Sequence, residues 1–188
     1  MLLATASRVR AGSAAVIVAF ALAAVAGANA DRANFPSKGI VVPGVSIGGI
    51  QIGMTEQQVL ARWGQGFEVC VTCGPTLTWL YEYKGSEPLG AAIRFDVEAV
   101  STTRYPATGK VIAVFTLGSP LGWGTKGKVM MFDPVRNVYN VLAHPRTVAC
   151  IGYAALVVPA GRNSMSIYTT GGVVYGFALT AHSEPPCQ

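Results

Sequence analysis

Residues 49–64 read GIQIGMTEQQVLARWG. Glycines running into a helical pattern fit two roles, a phosphate-cradling loop or a well-specified helix start. The stretch lacks the Lys-Ser/Thr of a phosphate loop and the glycine spacing of a dinucleotide fingerprint. What it does contain is a complete set of helix punctuation. Thr55 is a good N-cap and Gln58 follows three residues on, the capping-box pattern in which each side chain satisfies the other's backbone N–H. Met54 before the cap is placed to staple onto Val59. Val59, Leu60 and Trp63 share one face at helical spacing, and Gly64 suits the position after the last turn. The stretch predicts a helix over 56–63. Two turns are too few to persist alone in water, so the helix must dock on something.

The following residues alternate as strands do. Phe67–Val71, Thr76–Tyr83, Ala91–Phe95 and Lys110–Leu117 are candidate strands, with Leu77, Trp79, Tyr81 and Tyr83 as a core-facing row. Gly74-Pro75 and Lys84–Pro88 supply turns. Residues 97–108 form an excursion, and Gly118–Gly127, with its glycines and proline, forms a junction. Beyond it, 127–150 can be laid against 49–70. Asp133 stands as the cap, Pro134 occupies the first helical position, Val135, Val138, Tyr139 and Leu142 form the apolar stripe, and His144-Pro145 is the stop. A strand bearing Cys150 and strands at Ser164–Thr169 and Val173–Ala181 complete the order. The expected fold is α+β. Two tandem repeats of a short helix plus antiparallel strands (about 44–117 and 127–181) sit in one domain, 44–188, after an irregular lead-in, 31–43. The helices would pack on one face of a joined antiparallel sheet.

The run Ile52-Gly53-Met54-Thr55-Glu56-Gln57-Gln58-Val59 resembles the helix start of the BamE/SmpA-OmlA-like superfamily. Its apparent duplication in a disulfide-bearing chain resembles the arrangement of the beta-lactamase inhibitor protein (BLIP), over most of 44–181. The resemblance implies two sheets joined into a curved layer whose open face binds a partner protein.

At the N-terminus, Arg8 and Arg10 precede an apolar run from Ala14 to Ala26, which ends in Ala28-Asn29-Ala30. A basic start, a short apolar run and an Ala-x-Ala end describe a secretory signal peptide over 1–30. The run falls well short of the roughly 20 residues that span a bilayer, so no stable membrane insertion is expected once the signal is removed. Losing Arg8 and Arg10 takes the formal charge from +5 to +3. The remaining basic residues are scattered singly, which is no nucleic-acid footprint. All four cysteines, Cys70, Cys73, Cys150 and Cys187, lie in the mature part. An even count in a secreted chain favours disulfides. Three pairings are open, and the preferred one joins Cys70 to Cys73 and Cys150 to Cys187.

No residue set favours catalysis. Cys70-Val71-Thr72-Cys73 sits in a strand-turn stretch, whereas a thioredoxin-like pair needs its first cysteine at a helix N-terminus. Zinc would need four ligands at suitable spacing, and Cys150 and Cys187 are distant in sequence. The only histidines, His144 and His182, have no orienting third group in sight. Asp96 and Glu98 read as solvated neighbours. The expectation is a non-enzymatic chain with no cofactor or metal.

Several strands carry apolar residues on both sides. A sheet covered on one face should be polar on the other, so an apolar second face points to a partner. Ile112, Val114 and Val174 are candidate contacts on that face. Trp123, in the junction, is either an interface anchor or a plug between the halves. The expected function is a secreted protein-binding module, inhibitor-like, with an unidentified protein partner and no nucleic acid. The alternative is a structural cell-envelope protein. Localisation is secreted or cell envelope, and the oligomeric state is left open.

Overall fold

The computed structural model describes residues 35–36, 38–81, 90–98, 108–118, 122–126 and 128–187. The expected leader over 1–30, the turn at 84–88 and most of the excursion at 97–108 lie outside the described residues. In chain order the elements are strands β1 (Lys38–Val42) and β2 (Ser46–Ile47), helix α1 (Glu56–Trp63), and strands β3 (Phe67–Cys70), β4 (Thr76–Tyr81), β5 (Gly90–Glu98), β6 (Val111–Leu117), β7 (Gly122–Thr125) and β8 (Val129–Met130). Helix α2 (Val135–Tyr139) and strands β9 (Arg146–Ala149), β10 (Ala154–Ala160), β11 (Asn163–Thr170) and β12 (Val173–Ala181) complete the chain.

Helix α1 forms as its punctuation dictates. Thr55 Oγ1 accepts from the Gln58 N–H at 3.3 Å, and Gln58 Oε1 accepts from the Thr55 N–H at 2.8 Å. Gly64 ends the helix at φ 74°. Val59 and Trp63 face the core, and the Trp63 indole N–H donates to the Gly48 carbonyl at 3.0 Å. Glu56 is buried beside them and accepts from the Gly109 N–H at 3.0 Å. Burial pushes its carboxyl pKa up, and that hydrogen bond offsets part of the rise.

The expected α+β fold of two tandem helix-plus-strand repeats is overturned. The described chain is mainly β, with one eight-stranded sheet ordered β3-β4-β5-β6-β12-β11-β10-β9 and a second, four-stranded sheet ordered β2-β1-β7-β8. The large sheet consists of two antiparallel meanders joined through their last strands, β6 and β12. The cover over its main core face is only partly helical. Helix α2 is five residues long and has no side-chain cap. The Asp133 carboxylate that was expected to cap it accepts instead from the Met130 N–H at 2.8 Å. The small sheet supplies the remaining cover, contributing Val41, Ile47, Trp123 and Val129 to the same core as Trp79, Phe95, Ile167 and Phe177.

The small sheet forms from segments that read as lead-in and junction because their strands are short and glycine-rich. Strand β1 pairs in parallel with β7, Lys38 to Gly122 through Val41 to Thr125. Trp123 is fully buried there. Gly39 and Gly48 lie so close to its ring that a Cβ on either would collide with it. Its indole N–H donates to the Pro36 carbonyl at 2.8 Å, and Phe35 stacks on it at 5.5 Å.

Two matching hydrogen-bond pairs dock the entry to each helix on the large sheet. Gly53 N–H donates to Val111 O and Val111 N–H to Met54 O, while Phe132 N–H donates to Val174 O and Val174 N–H to Asp133 O, all at 2.8 Å. The geometry demands a left-handed residue at the first position. Gly53 adopts φ 85° at no steric cost, whereas Phe132 is held at φ 66° with 51 % of its surface exposed. Left-handed backbone costs a bulky residue about 1–2 kcal/mol. Phe132→Gly is therefore expected to be more stable than Phe132→Ala by about 1 kcal/mol, the reverse of the usual order of these two residues. Urea denaturation of the two variants measures this, and Ala exceeding Gly would refute the strain.

Candidate functional site

The large sheet has a second apolar face, turned away from the main core. Ala92, Phe115, Leu117, Ala155, Val157, Tyr168 and Ala178 form a separate buried cluster there, with Leu80, Tyr153 and Tyr175 packed against it. Register carries one row of this face across six strands: Leu80 beside Ala92, then Phe115, Ala178, Ser166 and Val157. The neighbouring row runs from Thr78 through Arg94 and Ala113 to Thr180.

Two β-bulges decide which side chains reach this face. On β6 the pairing passes from Phe95–Val111 to Arg94–Ala113, leaving Ile112 as the extra residue. On β12 it passes from Thr169–Val174 to Tyr168–Gly176, leaving Tyr175 as the extra residue. A one-residue insertion swaps the faces of everything beyond it. Val111 and Val114 therefore share the main core, as do Val174 and Phe177, while Phe115, Tyr175 and Ala178 turn to the second face.

A C-terminal strap crosses the second face after β12. Arg94 Nη1 donates to Glu184 Oε2 at 3.2 Å, Tyr168 Oη donates to the Pro186 carbonyl at 2.9 Å, and Cys187 is bonded to Cys150 just after β9. Cys70 and Cys73 form the other disulfide, at the turn between β3 and β4. The preferred pairing is thus present, with no free cysteine. Such bonds persist in oxidising, extracytoplasmic compartments.

Beside the strap the face opens as a cleft of about 580 Å³. Leu80, Phe115, Leu117, Tyr153 and Tyr175 give it apolar walls, and Arg94 is the one charged side chain lining it among the described residues. Both disulfides border it, Cys73 in its wall and Ile151-Gly152 directly after Cys150. Ile151 is 99 % exposed at this border, an unusual position for a large apolar side chain. Three buried polar atoms on this face, Arg94 Nε, Thr180 Oγ1 and Ser166 Oγ, have no hydrogen-bond partner among the described residues. The cleft itself combines an apolar wall with one cation, the arrangement of a binding pocket.

The contacts expected from sequence lie mostly elsewhere. Trp123, Val114 and Val174 are wholly buried in the main core, and Ile112 is half-buried at its bulge. Trp123 acts as a plug, wedged beneath the small sheet. His144 sits at φ 48° where the α2 segment stops, and His182 is exposed in the strap. Sequence reasoning missed Arg94, whose signal was a lone charge inside the apolar run Gly90–Phe95. It also missed Tyr153 and Tyr175, which strict alternation could not assign.

No family model and no curated protein matches the chain. Among solved structures, it is similar to an extracellular protein containing an SCP domain from Bacillus anthracis, at 15 % identity and TM-score 0.45, covering 70 % of this chain and 44 % of that one. A DUF4309 family protein from Bacillus subtilis is similar at 14 % identity and TM-score 0.45, covering 72 % and 84 %. A cysteine-rich secretory protein from Staphylococcus aureus is similar at 10 % identity and TM-score 0.44, covering 80 % and 49 %. The chain thus spans about half the length of the first and third. None of these three is a BamE or BLIP protein.

Proposed function

We propose that the chain is an extracytoplasmic, non-enzymatic binding module that receives a partner protein on the second face of its large sheet, with the cleft as the anchor pocket. The observation that carries this reading is the second apolar cluster opening into a cleft with Ile151 fully exposed at its border. A side chain so placed stabilises nothing in the monomer, and a partner would remove it from water. The cleft's volume falls in the range of about 300–1,000 Å³ common to ligand pockets. Support for an extracytoplasmic setting comes from the two disulfides and from the leader-like pattern of residues 1–30. An inhibitor would be one kind of such module, free in the medium, and a structural envelope role would instead retain the chain in the wall fraction.

Ile151→Asp tests the site at little risk to folding, because the residue makes no buried contact. Affinity capture from culture medium and envelope extract should recover a partner with the native chain. Capture should fall about tenfold or more with I151D, as for an interface hot spot, while the melting temperature stays the same. Undiminished capture by I151D, or no partner at all, would remove this reading.

A further inference from the structure

We infer that the partner segment entering the cleft carries a carboxylate flanked by apolar side chains, and that this carboxylate takes Arg94 over from Glu184, the chain's own placeholder. The inference rests on the cleft being the partner site. Arg94 lines an apolar cleft with its side chain only 15 % exposed, yet among the described residues its guanidinium is engaged by a single hydrogen bond, from Nη1 to Glu184 at 3.2 Å. Its Nε is buried and unpaired among the described residues. A guanidinium presents five donors in a planar fork and is best satisfied by a bidentate carboxylate. Glu184 meets it end-on only, from a strap that does not itself line the cleft.

Displacing Glu184 does not require the strap to leave. The strap is fixed on one side by β12 and on the other by the Cys150–Cys187 bond and the Tyr168–Pro186 hydrogen bond. The Glu184 side chain, at 19 % exposure, needs only to swing outward. An incoming carboxylate could then take up the Nη1 that Glu184 vacates. The walls set by Leu80, Phe115, Leu117, Tyr153 and Tyr175 select apolar or aromatic neighbours on either side of the acid. A basic segment would face Arg94 and be rejected, and an uncharged one would leave the cation with its incomplete pairing.

The test uses the full mature chain labelled with 15N, in which the Arg94 Nε–H resonance is identified by its absence from R94Q. The probes are the peptides acetyl-Phe-Glu-Phe-amide and acetyl-Phe-Gln-Phe-amide, with decanoate as a non-peptide carboxylate. The acidic peptide should shift the Arg94 Nε–H signal and bind about tenfold tighter than the amide, the difference expected of a charge-assisted pair. E184Q, which removes the competing charge with little change of shape, should tighten the acidic peptide about tenfold further, and R94Q should abolish its advantage. Equal binding of the two peptides, indifference to E184Q, absence of binding, or binding of decanoate alone would each overturn the inference. If I151D abolishes partner capture while E184Q and R94Q change nothing, only this inference fails. If I151D is also without effect, the cleft itself is the wrong site.

Discussion

Trp123→Ala is expected to destabilise the chain by about 3–5 kcal/mol, the range for emptying a fully buried aromatic site. A tryptophan buries roughly 150–250 Å², and at about 25 cal/mol per Å² that burial alone is worth about 4–6 kcal/mol. Collapse around the gap is obstructed. Gly39 and Gly48 have no side chains to move into the space, and Phe35 and Trp63 are held against the ring by their own packing at 5.5 and 5.6 Å. The variant also leaves the Pro36 carbonyl without its indole donor. Urea denaturation followed by near-ultraviolet circular dichroism reads the loss. A change under about 1 kcal/mol would mean that the small sheet is dispensable to the core. Trp123→Phe should recover part of the loss, since it refills most of the slot but cannot donate to Pro36.

Removing the Cys150–Cys187 bond by the double change C150S/C187S should cost about 4 kcal/mol, and C70S/C73S only about 2, when sequence separations of 37 and 3 are put through the loop-closure model. The larger effect has a second source. Without the bond the contacts left to the strap include the Arg94–Glu184 pair, which as a partly exposed ion pair contributes about 0–1 kcal/mol, and the Tyr168–Pro186 hydrogen bond. Release of the strap would bare Tyr168 and its neighbours on the second face. The C150S/C187S variant should therefore show both a lower urea midpoint and faster proteolysis near the C-terminus, whereas C70S/C73S should show neither to the same degree. Equal midpoints for the two variants would contradict this ranking.

Local signals were legible in the sequence, and long-range ones were not. The capped helix over 56–63 needs only Thr55, Gln58 and Gly64, all within ten residues. The strands β4, β6, β11 and β12 carry enough apolar alternation to be placed within a residue or two of their bounds. Strand β10 was missed because Pro159 and the apolar residues on both its sides disguise the pattern, although β9 and β11 pair with it along most of its length. The fold class went wrong at β1 and β7, whose pairing joins two short glycine-bearing segments far apart in the chain. No period within either segment announces the other. The sequence predicts an apolar second face, but strict alternation does not identify its members. The extra residues Ile112 and Tyr175 break that alternation, so Val114 and Val174 moved inward and Phe115 and Tyr175 took their place. Arg94 stood in plain view as the charge within GAAIRF.

The parallel pairing of β1 with β7 also fixes an order of events. A chain emerging N-terminus first, from a ribosome or through a translocation pore, presents Lys38–Val42 long before Gly122–Thr125 arrives. The Trp123 indole must come back to a carbonyl 87 residues earlier. Until it does, β1 has only its two-residue pairing with β2, and the slot made by Gly39 and Gly48 is empty. The first meander, β3 to β6, requires nothing beyond Leu117. The leading end of the chain is thus the part that cannot close early, and the small sheet acts as a late clasp that shuts only after the middle of the chain has been delivered.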